Sequence, residues 1–216
     1  VLLSRFFDIL VSYVRYGGPT RSLQYWIEPE YRLFASSLRD SMEMFALAHE
    51  YSHILLGHLT RNDAKRRSLT GTDAEVLDHS SREELDADVR GFNIVVSTFN
   101  ATRGWDLYQC YGGAALYFAS MELVEKSVSI LQLASGDLLR DRTHPPAETR
   151  RIVIREALRI QSEIQWPEHF QRAIDFEIAI SWALDVMWEY TKPRLLALHE
   201  QGVRPAEQWS YVLSRP

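Results

Sequence analysis

An apolar stretch with two histidines inside it constrains the fold of this chain more than any other feature. Residues 45–59 read F-A-L-A-H-E-Y-S-H-I-L-L-G-H-L, without a proline. Phenylalanine, leucine and isoleucine recur on nearly every side of a helix drawn through this stretch, so the pattern predicts a helix buried inside a domain. Polar side chains on a buried helix need partners, because an unpartnered buried polar group costs a few kcal/mol.

The polar groups of this helix form an H-E-x-x-H motif. His49 and His53 are four residues apart, so their rings lie on one helix face with a gap that one zinc ion can fill. Glu50 follows His49 directly, about 100° round the helix, where its carboxylate can reach a water at the metal without being a ligand. This combination is typical of zinc-dependent peptidases. The alternative is a structural pair of core histidines that bind carbonyl groups.

His58 is the next histidine along the chain, and we do not expect it to be the third ligand. It follows His49 by nine residues, which places it about 180° round the helix. The spacing is also one residue shorter than that of the metzincin peptidases. Gly57 indicates that the helix is close to its C-terminus, where we expect His58 to cap carbonyl groups.

A second, acidic helix offers a better third ligand. Ser80 and Glu83 form an S-x-x-E capping box, which leaves Glu84 in the first turn and Asp88 one turn later on the same face. Glu84 can complete the metal site, and Asp88 can accept a hydrogen bond from a ligand histidine. The alternative is an acidic first turn that only the helix dipole stabilises, with Ser81 and Glu84 as the capping box.

Three motifs follow one another in an order that resembles a known peptidase family. H-E-Y-S-H at residues 49–53, E-L-D-A-D at 84–88 and T-H-P-P at 143–146 are similar to those of the HtpX and CAAX-prenyl-protease family of gluzincins. The family's N-A-F-x-x-P-G-G strand and its membrane spans are missing. A second family, the gluzincin-type proteases that cleave repressors, usually has Asn in place of Asp88 and lacks the T-H-P-P segment.

The resemblance implies a zincin-like domain with zinc as its cofactor and a protein or peptide as its substrate. It implies that the site consists of the ligands His49, His53 and Glu84, the general base Glu50, the outer partner Asp88, and His144 nearby. Glu50 would take a proton from a zinc-activated water and pass it to the leaving amine. His144, held extended by the proline after it, is our candidate donor to the oxyanion, with Arg150 as the alternative. A zincin fold without activity, acting as a sensor or scaffold, and a helical interaction domain without metal are the other hypotheses.

Composition narrows the class of protein. The chain has 216 residues, a formal charge of −5 and 46% apolar residues, which is ample for a core. The mild acidity argues against nucleic acid as a partner. No window reaches about 18 uninterrupted apolar residues, so we expect no integral membrane segment. Cys110 is the single cysteine; it excludes an internal disulfide, and we expect a cytoplasmic protein.

The periodicity predicts a mainly α fold with at most a small β-hairpin or sheet. We expect a zincin-like peptidase domain at residues 1–165 and a helical extension at 166–216, which can pack on it or belong to the same domain. Residues 23–27 are the best strand candidate, with residues 13–16 as a pairing partner. Residues 61–79 are predicted to be a polar loop that can act as a flap. Aromatic residues near the C-terminus suit packing or a surface for a partner domain or subunit.

Overall fold

The computed structural model describes residues 2–18, 27–58, 65–68, 75–78, 80–103, 106–135, 145–165, 168–207 and 209. Helices dominate this part of the chain. They are α1 (Leu2–Tyr16), α2 (Pro29–Leu55), α3 (Ser81–Arg103), α4 (Leu107–Leu133), α5 (Ala147–Gln165) and α6 (His169–Glu200). The prediction of a mainly α fold is therefore confirmed. In the described helices, none combines the length and apolar character that crossing a membrane requires.

A short hairpin provides the sheet. Strands β1 (Lys65–Ser68) and β2 (Glu75–Asp78) pair antiparallel, with Lys65 opposite Asp78 and Ser68 opposite Glu75. The prediction that residues 61–79 form a loop is wrong for these two segments. The sequence K-R-R-S lacks the alternation of apolar and polar residues by which half-buried strands are recognised.

The predicted strand at residues 13–16 is wrong, because these residues form the last turn of α1. Leu10 and Val14 are buried one turn apart, so the apolar face of the helix continues to its end. Gly17 ends the helix with a φ of 76°, and its N–H donates to the carbonyl oxygen of Tyr13 over 2.8 Å. Of the proposed partner strand, residues 23–26 lie outside the described part of the chain.

The chain forms two compact units, each built from separated segments. The first contains Val1–Arg32, Ala119–Arg140 and Ile178–Pro216; the second contains Leu33–Phe118 and Asp141–Glu177. The predicted domain boundary after residue 165 stays a prediction. In the first unit, the buried apolar side chains include Leu10, Val14, Val128, Ile130, Leu131 and Leu195.

The second unit has the larger core and carries the H-E-x-x-H motif. Its core includes Phe45, Ala48, Phe92, Val95, Val96, Phe99, Tyr111, Phe118, Ile154 and Leu158. Two glycines let helices approach α2 closely. A Cβ atom on Gly91 of α3 would lie 2.9 Å from the backbone nitrogen of His49, and one on Gly113 of α4 would lie 2.7 Å from that of Met42. Both distances are too short for a real side chain, so these contacts require glycine.

Candidate metal centre

The H-E-x-x-H segment of α2 buries one face and leaves the other open. His49 and His53 are 5% and 2% exposed, whereas Leu47, Tyr51 and Ile54 are 64%, 54% and 56% exposed. The prediction of burial on nearly every side is therefore wrong. Apolar residues occur round the whole helix, but among the described residues the buried face of this segment is the one that contacts α3 and α4.

The acidic helix α3 begins as its capping box predicts. The Ser80 backbone N–H donates to the Glu83 carboxylate over 2.9 Å, and the Glu83 N–H donates back to the Ser80 hydroxyl over 3.3 Å. Glu83 is thereby fixed at the helix start. Glu84, Asp88 and Gly91 then recur on one face, at the spacing of helical turns. Because Gly91 allows α3 to touch α2 at His49, the same face brings both carboxylates to the histidines.

Three donor groups converge at this helix contact. The Nε2 atoms of His49 and His53 are 3.2 Å apart. Each lies 3.5 Å from an oxygen of Glu84, the first from Oε2 and the second from Oε1. Ligand atoms of a tetrahedral zinc ion lie about 3.3 Å apart, given metal–ligand distances of about 2.0–2.2 Å. The group formed by His49, His53 and Glu84 is buried and can hold a metal ion.

Asp88 fixes the orientation of the first histidine. Its Oδ1 lies 2.9 Å from Nδ1 of His49, on the side of the ring away from Glu84 and His53. A carboxylate this close to Nδ1 favours a proton on that nitrogen and leaves the Nε2 lone pair available to a metal. Asp88 thus has the position expected for the outer partner of a ligand.

Arg150, near the start of α5, holds Asp88 in turn. Its Nε and Nη2 atoms each donate to one oxygen of Asp88, both over 2.7 Å. The arginine is 3% exposed, and its guanidinium lies over the ring of Phe118 at 4.7 Å. This bidentate, buried pair commits two of the guanidinium nitrogens to Asp88. We therefore withdraw Arg150 as a candidate oxyanion donor. Its role is to hold Asp88, which in turn lies against His49.

His58 supports the second histidine, a role that the sequence did not predict. Gly57 has a φ of 72°, and its N–H donates to the Ile54 carbonyl oxygen as the helix ends. The turn carries the His58 ring back over α2, where its Nδ1 lies 2.9 Å from Nδ1 of His53. His58 is 4% exposed. A His53 that donates from Nδ1 to His58 keeps its Nε2 lone pair for a metal.

Without a metal, the site favours a proton on His49. Burial disfavours the charged imidazole, but hydrogen bonds to Asp88 and Glu84 and the charge of Asp88 outweigh burial and the opposing Arg150. Together they raise the pKa of His49 to about 9. A cation that binds here must displace this proton, as cations do at other histidine sites.

Glu50 and His144 complete the set of predicted catalytic residues. Glu50 is exposed and follows ligand candidate His49 directly along α2. His144 lies outside the described part of the chain, and its role stays a prediction. Pro145 and Pro146, which follow it, lead directly into α5 and Arg150.

The roles of two residues of the site were not predicted, because these roles depend on tertiary structure. Arg150 is 62 residues from Asp88 along the chain. A signal did exist: two carboxylates on a buried helix face need positive charge, and histidines that bind a metal are neutral. The only hint for His58 was Gly57, which allows the chain to reverse.

No family model matches the chain. Comparisons with curated proteins and with solved structures also give no match. The geometry of these side chains is therefore the basis for a functional proposal.

Proposed function

We propose that this protein is a zinc-dependent metallopeptidase that hydrolyses peptide bonds, with Glu50 as the general base. The observation that carries the proposal is the convergence of His49, His53 and Glu84 within 3.2–3.5 Å of one another, next to an exposed glutamate. A site with only a structural role has no use for a general base that follows the first ligand.

The donor set favours zinc. Two imidazole nitrogens and one carboxylate are the ligands of several catalytic zinc sites, in which a fourth position stays open. When bound, zinc lowers the pKa of water to about 7 and polarises a carbonyl group. Asp88 and His58 contribute by accepting the Nδ1 protons of the two histidines, so that both Nε2 atoms face the metal position.

Glu50 supplies the proton transfers. In the first step it accepts a proton from the attacking water, and in the second it gives this proton to the amine nitrogen of the leaving peptide. Its exposure suits this role, because a peptide must approach from solvent to the side of the helix on which the carboxylate stands.

The motifs also support membership of the HtpX and CAAX-prenyl-protease family as part of the proposal. Asp88, with its Arg150 partner, distinguishes this chain from the repressor-cleaving gluzincins, which usually have Asn there. Protein or peptide substrates follow from the proposed reaction. A cytoplasmic location and a partner domain or subunit stay predictions of the sequence.

The test compares the zinc-loaded wild-type chain with Glu50→Gln on a peptide library made from a digested proteome, with cleavage products read by mass spectrometry. Glu43→Gln is the matched control, because Glu43 is exposed and lies seven residues earlier on the same helix. We expect Glu50→Gln to keep its zinc and to lose about 10²–10⁴ in rate, and Glu43→Gln to behave like wild type.

Two results would overturn the proposal. Equal turnover of wild type and Glu50→Gln at equal zinc content would show that Glu50 is not the base. A zinc-loaded wild-type chain that cleaves no peptide of the library would favour the sensor or scaffold hypothesis instead.

A further inference from the structure

Tyr117 of α4 is a half-buried phenol whose ring is held beside the metal centre. Its ring lies 5.5 Å from that of Phe45 and 5.4 Å from that of Phe118. Phe45 in turn lies 6.5 Å from the ring of His49, and Phe118 lies under the guanidinium of Arg150. These edge-on aromatic contacts fix the ring without using its hydroxyl group.

The Tyr117 hydroxyl lies within electrostatic reach of Arg150 and of three carboxylates of the site. Burial is the largest cause that raises the pKa of Tyr117; Arg150 opposes it, and the carboxylates of Glu50, Asp88 and Glu84 add to it. The general base and the carboxylate that faces the metal position thus both act on this one hydroxyl. At neutral pH the phenol keeps its proton and is a hydrogen-bond donor.

Among the residues that the structure describes, none forms a hydrogen bond with the Tyr117 hydroxyl. Tyr111, on the same helix, is different, because its hydroxyl donates to Glu177 over 2.5 Å. The hydroxyl of Tyr117, on a half-buried side chain, is available to a ligand that arrives from outside.

We propose that Tyr117 donates a hydrogen bond to the carbonyl oxygen of a bound peptide as negative charge develops on that oxygen. This inference rests on the proposed peptidase function and names a catalytic residue for it. Because Arg150 is committed to Asp88, Tyr117 is the donor that we assign among the described residues, beside the predicted donor His144. Preorganised donors of this kind supply a large part of the rate in acyl-transfer reactions.

The reaction balances with Tyr117 as a donor only. The water oxygen bonds to the carbonyl carbon, the π electrons of the C=O bond move to its oxygen, and one water proton goes to Glu50. When the C–N bond breaks, its electron pair goes to nitrogen, which takes the proton from Glu50, and the C=O bond re-forms. The phenol keeps its proton throughout, and its hydrogen bond is strongest when the oxygen carries charge.

The experiment is Tyr117→Phe in the full chain, which removes the hydroxyl and keeps the ring between Phe45 and Phe118. Tyr108→Phe is the matched control, because Tyr108 is a half-buried tyrosine of the same helix whose ring packs against Phe176. On a peptide cleaved by wild type, we expect kcat to fall by about 10²–10³ with KM, zinc content and Tm unchanged. Tyr108→Phe should equal wild type.

A second measurement separates this inference from the proposed function. A peptide phosphonate carries charged oxygens in the tetrahedral geometry of the transition state, and we expect Tyr117→Phe to bind it about 10²–10³-fold more weakly. Equal phosphonate binding by Tyr117→Phe and a wild type that hydrolyses peptides would overturn the role of Tyr117 alone. Weaker phosphonate binding by Tyr117→Phe, with a wild type that cleaves no peptide, would overturn the peptidase proposal and keep the donor role.

Discussion

Two buried carboxylates of the second unit are each held by an arginine of α5, and they differ in what surrounds them. Glu177 accepts two hydrogen bonds from Arg155, over 2.9 and 3.2 Å, and a third from the Tyr111 hydroxyl over 2.5 Å. At the candidate metal centre, Arg150 binds Asp88 as closely. The carboxylate one turn before it, Glu84, is farther from its neighbours. Its oxygens lie 3.5 Å from His49 and His53 and 3.6 Å from Arg150.

The difference separates a structural network from a candidate metal site. The Glu177 group closes on itself at hydrogen-bond distances, so its donors and acceptors satisfy one another. The distances of 3.5 Å from Glu84 to His49 and His53 match the edges of a metal-ligand tetrahedron. A metal ion fits between groups at such distances.

We expect the largest effect from a substitution of Glu84, one of the three candidate metal ligands. Glu84→Ala removes one of three ligand groups and should abolish zinc binding, as measured by metal analysis after dialysis. Glu83→Ala is the control: it loses the capping box with Ser80, costs about 1 kcal/mol in stability, and should keep the metal. Zinc retained by Glu84→Ala and lost by Glu83→Ala would show that the wrong carboxylate had been assigned.

A smaller effect is expected at Asp88, which touches a ligand and not the metal position. Asp88→Asn removes the charge that orients His49 and should weaken zinc affinity by about 10- to 100-fold. Competition with a chromogenic chelator measures this change. Asp86→Asn, an exposed position two residues earlier, should leave the affinity unchanged. An Asp88→Asn chain that binds zinc like wild type would place Asp88 outside the site.

A substitution in the network around Glu177 should lower the stability of the protein and leave metal binding unchanged. Glu177→Gln leaves Arg155 and Tyr111 without their charged acceptor. We expect the free energy of unfolding to fall by about 1–3 kcal/mol. The lower part of this range is favoured, because Arg155 is half exposed and water weakens its interaction with Glu177. Thermal unfolding should show Tm lower by about 3–10 °C at unchanged zinc content. Glu163→Gln, whose partner Arg159 is exposed, should leave Tm unchanged. Zinc loss in Glu177→Gln would mean that the two carboxylate groups are coupled.

The smallest expected effect is the change of zinc affinity with pH. The pKa of His49 is raised to about 9 in the metal-free protein, so at pH 7 its imidazole carries a proton that zinc must displace. Raising the pH from 7 to 8 should tighten apparent zinc affinity by up to about tenfold, and the gain should end above the pKa of His49. Calorimetry in buffers of different ionisation enthalpy measures the released proton. Affinity that is independent of pH over this range would show that His49 is already neutral.

The spacing of residues along single helices was enough to predict much of the fold and the site. The four-residue spacing in H-E-x-x-H and in Glu84–Asp88 places side chains on one helix face whatever the tertiary structure. The structure does bring His49, His53 and Glu84 together, and it confirms the capping box that separates Glu83 from Glu84.

What the sequence did not predict depends on contacts between elements distant along the chain. Arg155 meets Glu177 across 22 residues, and its own helix shows only a basic stripe. Strand β1 forms because β2 pairs with it through the backbone, which its side chains do not indicate. The burial of α2 was overestimated at Leu47 and Ile54, since apolar residues do not show which helix face has a neighbour.

The central claim is that a zinc ion is bound by His49, His53 and Glu84. Metal analysis together with X-ray absorption at the zinc edge, on the purified full chain, tests it most directly. We predict about one zinc per chain with two imidazole nitrogens and carboxylate oxygen at about 2.0–2.2 Å, and loss of the metal in both His49→Ala and His53→Ala. Equal zinc content in wild type and in both single variants would contradict the claim.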